Sequence, residues 1–409
     1  MFFQNRIMNN VSIVVTGIGV ISSLGIGREV FWKQFLEGRT GIRPLKEISS
    51  LESPITFGGE VPGFKPKEYL SPMVYRKMGR VSRLSVAASI EAVSDAGLTI
   101  DEAGQDRIGV VVGTGYGNSG LTDDFFLSFM EGGAQGANPL LFADTVPNTA
   151  ASHISLYHKL RGPLTTFCQN LISSELALAY ACQVLDSGQA EAMLVGGADE
   201  LSPILLHAFS VFKALNPSPN PILGKGIILG EGACILVLER AEKVLARGAR
   251  IYGEIRNCVL NSGVTQPVQF EGQGNEMKKA VSRCLSPENE PEAVELIGLS
   301  ANFSKDLDRL EYAVLKKVFG AKLPQIALSP LKYFSGEFAG MGTLRLAALL
   351  LAIRDQIIPP CVNPSELVPG KPWDRAFIPA RSGPVTQALL TGFSFGGGNA
   401  CLLVKKPTY

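Results

Sequence analysis

Histidine is almost missing from this chain: three occur in 409 residues, at His153, His158 and His207. Chemistry that needs paired imidazoles, whether proton shuttling or metal binding, has few places to reside. Surplus charge is missing too. Lys and Arg total 38 against 37 Asp and Glu, and a net +1 gives no electrostatic footprint for nucleic acid or an anionic membrane. The longest apolar runs are interrupted by Gly, Arg or Pro before they reach the length of a bilayer span. The start, Met1-Phe2-Phe3-Gln4-Asn5-Arg6, lacks the basic-then-apolar order of a signal peptide, so cytoplasmic residence is the expectation. Cys168, Cys182, Cys234, Cys258, Cys284, Cys361 and Cys401 are odd in number and have no metal-ligand spacing. They are read as reduced thiols, and no metal or cofactor is expected.

What the chain has is apolar residues, 46% of the total, enough for one large core or two fused ones. Apolar runs of strand length alternate with helical patterns, which argues an α/β layering. Ile108–Val112, Ala192–Val195 and Leu236–Leu238 read as strands; Arg83–Ala96, Ser174–Ser187 and Thr343–Arg354 read as helices. An internal echo, Ile108 to Gly117 against Ala388 to Gly397, shows a buried strand running into a Gly-rich turn with an aromatic, and supports duplication. Gly17-x-Gly19 after a strand invites a dinucleotide reading. It fails because Ser22 takes the third glycine's position and Glu37 ends a helix-like segment instead of a strand. Gly230-Glu231-Gly232 reads as a turn into a strand, with no Lys-Ser/Thr after it to make a phosphate loop.

Ordered motifs run the length of the chain. They begin with Val14-Val15-Thr16-Gly17-Ile18-Gly19-Val20 and Phe31-Trp32-Lys33-Gln34-Phe35-Leu36-Glu37-Gly38, and continue through Gly113-Thr114-Gly115-Tyr116-Gly117, Val146-Pro147-Asn148, Leu160-Arg161-Gly162-Pro163 and Val195-Gly196-Gly197-Ala198. They end with Gly230-Glu231-Gly232-Ala233, Lys332 ahead of Gly336, Pro359-Pro360, and Gly392-Phe393-Ser394-Phe395-Gly396-Gly397-Gly398-Asn399. In this order the set resembles the β-ketoacyl-acyl carrier protein synthases, the condensing enzymes of fatty-acid and polyketide assembly. The resemblance implies the thiolase-like fold, two similar halves packed as a five-layer α-β-α-β-α sandwich. The halves are placed at residues 1–255 and 256–409.

The resemblance also implies a nucleophilic cysteine and two histidines, and the chain lacks all three. The cysteine position, counted from Gly162 and Gly196, falls on Leu171. The following Ser173 to Ala181 reads as the helix whose N-terminus would activate a thiol. The first histidine belongs between Leu296–Ala301 and Asp308–Glu311, where a segment about three residues short leaves Asn302 or Phe303. The second follows the retained Lys332 and is Glu337. Loss of a general acid or base costs ~10²–10⁴ in rate, and Glu337 would set a negative charge where an oxyanion is stabilised. Cys168, three residues early, is read as a packed thiol; Gln169 sits two residues before the position where relatives called chain length factors carry glutamine. His153, His158 and His207 fall on predicted helices away from every motif.

Two further segments depart from the family pattern. Asn216 to Gly226 is shorter than its counterpart, so a remodelled entrance is expected. Ser394 replaces a glycine in the gate-like loop Ser394, Phe395, Gly396 and Gly397, which suggests a gate that no longer moves. Tyr116, in the Gly-rich turn, is read as either a core aromatic or a tunnel and interface residue that sets product length. The favoured expectation is a non-catalytic, chain-length-factor-like subunit that heterodimerises with an active homologous ketosynthase and meets an acyl carrier protein bearing the growing chain. The alternatives are an acyltransferase or decarboxylase using Cys168, Glu337 or Lys332, and a regulatory carrier-protein-binding homodimer.

Overall fold

The computed structural model describes residues 11–46, 57–218, 226–266, 269–285, 293–362 and 377–408. Ten principal strands carry the fold. The first five are β1 (Ile13–Ser22), β2 (Ile108–Gly113), β3 (Leu164–Phe167), β4 (Ala192–Asp199) and β5 (Gly232–Arg240). The second five are β6 (Gly253–Ser262), β7 (Val294–Gly298), β8 (Ala327–Ser329), β9 (Gln387–Phe393) and β10 (Gly398–Lys405). They lie side by side as β3-β2-β4-β5-β1 and β8-β7-β9-β10-β6, joined where Ile13–Val15 pairs with Gly253–Ile255.

Numbered within each half, both orders are 3-2-4-5-1. In both, strands 3, 2 and 4 pair in parallel and strand 5 runs antiparallel to its two neighbours. Duplication is thus a property of the topology. The echo between Ile108–Gly117 and Ala388–Gly397 is a coincidence of pattern, because it matches strand 2 of one half to strand 4 of the other. Residue 255 lies inside β6.

Helices α1 (Arg80–Ala96), α2 (Ser119–Gly136) and α3 (Thr149–His158) belong to the first half, and α4 (Ser173–Asp186) follows β3. Helices α5 (Asn275–Cys284), α6 (Lys305–Phe319) and α7 (Met341–Asp355) complete the set. α1 and α3 cover the first group of strands, α5 and α6 the second, and α4 with α7 lie between, touching strands of both halves. This is the five-layer α-β-α-β-α arrangement. The central position explains why α7 is apolar on every side: 13 of its 15 residues are buried. One apolar cluster runs through both halves, from Ile13 and Leu236 to Leu389 and Val404.

Gly17 and Gly19 lie within β1 and not in a turn. A Cβ at Gly19 would stand 1.9 Å from the carbonyl oxygen of Ala88, and one at Gly17 2.2 Å from that of Ala92, so these glycines let α1 press against the strand. The expected helices all form, with Arg83–Ala96 beginning three residues earlier and Gly97, at φ 56°, ending it in the left-handed conformation. Among the described residues no helix is long and apolar enough to cross a membrane.

Candidate functional site

Three chain segments converge at the N-terminal end of α4. β3 ends at Phe167; Asn170 then turns through a left-handed φ of 46°, a conformation asparagine tolerates, and a short 3₁₀ turn, Asn170–Ile172, delivers the chain into α4. Leu171, the residue that the count from Gly162 and Gly196 selects, is buried there, and its N–H donates to Ser394 Oγ at 3.2 Å. Gln169 stays outside this position: it is exposed, and its N–H is taken up by Ser173 Oγ at 2.9 Å.

The second segment is the loop between β7 and α6. Glu311, one turn inside α6, accepts the N–H groups of Ser300 and Ala301 at 2.9 and 2.8 Å, and Asp308 accepts that of Asn302 at 3.0 Å. The shortened loop is therefore held by carboxylates reaching back from the helix that follows it. Two residues compete for the missing histidine's place, and the structure separates them. Asn302 faces the centre, while Phe303, at φ 72°, stacks on Tyr333 with ring centroids 4.1 Å apart.

The third segment follows β8. Lys332 opens a four-residue helix, Gly336 turns at φ 82°, and Glu337 folds back beside the lysine. Its main chain is fixed by N–H donation to Ile228 O at 2.7 Å and by acceptance from Gly230 N at 2.9 Å. Lys332 Nζ donates to Glu337 Oε2 at 2.7 Å, and Asn302 Nδ2 donates to the same oxygen at 2.8 Å. All three side chains are buried. Burial pulls the Lys332 ammonium below the ordinary lysine value, while the adjacent Glu337 carboxylate works in the other direction. Glu337 is thus not the uncompensated negative charge the sequence suggested: Lys332 neutralises it, and the second oxygen, Oε1, has no partner among the described residues.

Among the described residues, Leu171, Asn302 and Glu337 bring neither a thiol nor an imidazole to this centre, and Lys332 is paired with the carboxylate of Glu337. Cys168 is the nearest cysteine in the sequence. It is exposed beyond the end of β3, and partial burial together with the Asp199 carboxylate pushes its thiol up, away from the thiolate. The other six cysteines are buried. His158 is bonded to Ser89 Oγ at 2.9 Å and lowered to about 4 by burial, His153 Nε2 lies 2.7 Å from Asp144 Oδ1, and His207 is exposed on the helix Pro203–Val211. None of the three reaches the centre.

Comparison with known proteins gives the family. The description "Beta-ketoacyl synthase, N-terminal domain" matches residues 10–244, and "Beta-ketoacyl synthase, C-terminal domain" matches residues 252–365. The chain belongs to the β-ketoacyl synthase family. It is 30% identical over 415 residues to the 3-oxoacyl-[acyl-carrier-protein] synthase 2 of Vibrio harveyi, covering 98% of this chain and 99% of that one. It is 28% identical over 415 residues to the tetracenomycin polyketide synthase ketoacyl synthase alpha subunit of Streptomyces glaucescens, covering 97% of each. Among solved structures, the ishigamide ketosynthase/chain length factor superposes with a TM-score of 0.88 at 28% identity, covering 98% of this chain and 100% of that one.

Against the family's expected centre, two features went unread in the sequence. Glu175, in the first turn of α4, and Arg345, in α7, form a fully buried ion pair, and Arg345 also donates to the carbonyls of Leu299 and Thr391. Each is a charge set among apolar residues, with the other charges of its helix confined to the C-terminal end, and that was the available signal. The other is the role of Asp308 and Tyr333, whose hydroxyl donates to Asp308 Oδ2 at 2.6 Å and so holds the ring under Phe303. Tyr116 is half-buried, edge-on to Phe209 at 5.8 Å. Burial, and with it the carboxylates of Asp199 and Glu337, push its phenol up. Asp199 organises that turn by accepting from Thr114 Oγ1 and from the N–H groups of Gly115 and Tyr116. Of the shortened Asn216–Gly226 stretch, residues 219–225 lie outside the described residues, so the expected remodelled entrance is not visible there.

Proposed function

We propose that this chain is a non-catalytic, chain-length-factor-like subunit that pairs with an active ketosynthase and shapes its acyl tunnel in type II polyketide assembly. The observation that carries the reading is the centre itself: Leu171, Asn302 and Glu337 stand where a cysteine and two histidines are needed, and the retained Lys332 is tied to Glu337. A condensing scaffold kept whole around such a centre has a use other than condensation.

The surface supports a partner. Helix α2 buries none of its 18 residues, and Phe126, Met130, Phe142, Leu156 and Phe212 are each more than half exposed around it. An apolar face this broad marks an interaction site. Beside it, β3 ends the row of strands with no strand paired to its outer side among the described residues, an edge that invites strand addition. The halves of the subunit are taken as residues 1–255 and 256–409. An acyl carrier protein bearing the growing chain is the second proposed partner, reached through the active subunit.

Producing the chain with and without an intact Cys-His-His ketosynthase tests the reading. A one-to-one complex, with the isolated chain insoluble or unstable, is the expected result. A stable homodimer indifferent to the ketosynthase would overturn it. The reading as an acyltransferase using Cys168 has no support in that thiol's environment.

A further inference from the structure

Leu171 offers a main-chain N–H just before α4, directed at the Gly-rich turn between β9 and β10. A donor so placed at a helix start is suited to hold an anion or the oxygen of a reacting carbonyl. Here it is already occupied. Ser394 Oγ accepts from Leu171 N and itself donates to Phe395 O at 3.0 Å, so one hydroxyl bridges the start of α4 and the turn. Ser394 is 1% exposed and Leu171 3%, which keeps water out of the exchange.

The turn is also tied from outside. Gly396 N donates to Gln269 O at 3.0 Å, Gly263 N donates to Gly397 O at 2.8 Å, and the Phe395 ring meets that of Phe270 with centroids 6.3 Å apart. Within the turn Ser394 N donates to Gly398 O at 2.9 Å. The Ser394 side chain ties it inward, to the turn that leads into α4.

We propose that Ser394 is an internal ligand for the Leu171 amide, a positioning residue that fills the carbonyl-oxygen site and latches the Gly-rich turn against α4. This rests on the reading of Leu171 as the degenerate nucleophile position and deepens it. Restoring a thiol would not be enough to restore acyl loading, because the donor that should stabilise the oxyanion is committed to the hydroxyl. In that loading step a thiolate at position 171 attacks a thioester carbonyl, a carbon–sulfur bond forms, and the tetrahedral oxyanion collapses to expel the original thiolate. Only the oxyanion needs the amide.

The test compares Leu171→Cys with Leu171→Cys/Ser394→Gly and Leu171→Cys/Ser394→Thr in the full chain, using iodoacetamide and octanoyl-coenzyme A as probes. Alkylation, which forms no oxyanion, should proceed at similar rates in all three. Acylation should be at least about tenfold faster with glycine than with serine or threonine, a part of the ~10²–10³ that one such donor is worth. Equal acylation of the serine and glycine versions would overturn the proposal.

A second measurement needs no introduced thiol. With the native Leu171, Ser394→Ala should speed hydrogen exchange of the Leu171 amide by about tenfold or more, and Ser394→Thr should not. Unchanged exchange in Ser394→Ala would overturn the latch whatever the chain's function. Label transferred to Cys168 of the native chain would instead defeat the functional reading and leave the exchange result standing.

Discussion

The two halves of this chain share one strand order and end it differently. In the second half the outer strand β8 is covered: Cys361–Val362 pairs with it, and Phe377–Ile378 pairs beyond. In the first half the equivalent strand, β3, ends the sheet. The connections differ in the same sense. Between β7 and β8 the chain makes α6, which buries Leu307, Val314 and Leu315, whereas between β2 and β3 it adds α2, which buries nothing. The second half extends its row by two short strands, while among the described residues β3 is the last strand of the first half. Taken with a centre that buries its charges in pairs, the contrast accords with the proposed pairing to another protein.

The largest expected effect lies inside, at the paired charges. Glu337→Leu should strand the Lys332 ammonium and lower stability by about 3–5 kcal/mol, while Lys332→Met together with Glu337→Leu should recover most of it. Equilibrium denaturation of the three variants decides this, and a Glu337→Leu protein as stable as the native one would show that the pair is not buried as described.

At the open edge, Phe126→Asp should leave the fold within about 0.5 kcal/mol of native. It should weaken association with the active ketosynthase by about 2 kcal/mol or more, roughly 30-fold in Kd. Titration by light scattering or interferometry would register it. A matching substitution on α6, in the closed half, should give the opposite pattern: Leu307→Asp destabilises the chain and reaches the partner only through unfolding.

Tyr116 lies between the two regions, near Glu337 on one side and on the turn that leads to α2 on the other. If it lines the shared tunnel, Tyr116→Ala leaves the complex assembled and lengthens products by one or more two-carbon units, read by mass spectrometry. Unchanged length with reduced stability would make it a packing residue.

The smallest effect is a pH slope. Burial raises the Asp308 carboxyl from 3.8 to about 7. The unfolded chain therefore loses this proton at lower pH than the folded one, so the group's contribution is full below about pH 4 and is lost as pH rises towards 7. Asp308→Asn should flatten the dependence of stability on pH across that window by about 1 kcal/mol or more. An unaltered slope would mean that Asp308 is ionised throughout.

Much of the fold was legible because burial leaves a periodic trace: α1, α4 and α7 were visible as helices and β2, β4 and β5 as strands. The helix that starts just after Leu171 was legible too, from the run Ser173 to Ala181. Pairing across the fold was not. Nothing in Lys332-Tyr333-Phe334-Ser335-Gly336-Glu337 states that a left-handed Gly336 brings the two charges to 2.7 Å, and Ser394 gives no sign in sequence of reaching Leu171. Gly17 and Gly19 misled for a related reason. A glycine that makes room for a helix looks in sequence like a glycine that makes a turn.

The central claim is that this subunit carries no acyl group of its own. The direct measurement is the intact mass of both subunits after the complex meets an acyl carrier protein bearing an isotopically labelled acyl thioester. The account predicts one added acyl mass on the partner ketosynthase and none on this chain. Label on this chain, at Cys168 or elsewhere, would contradict it.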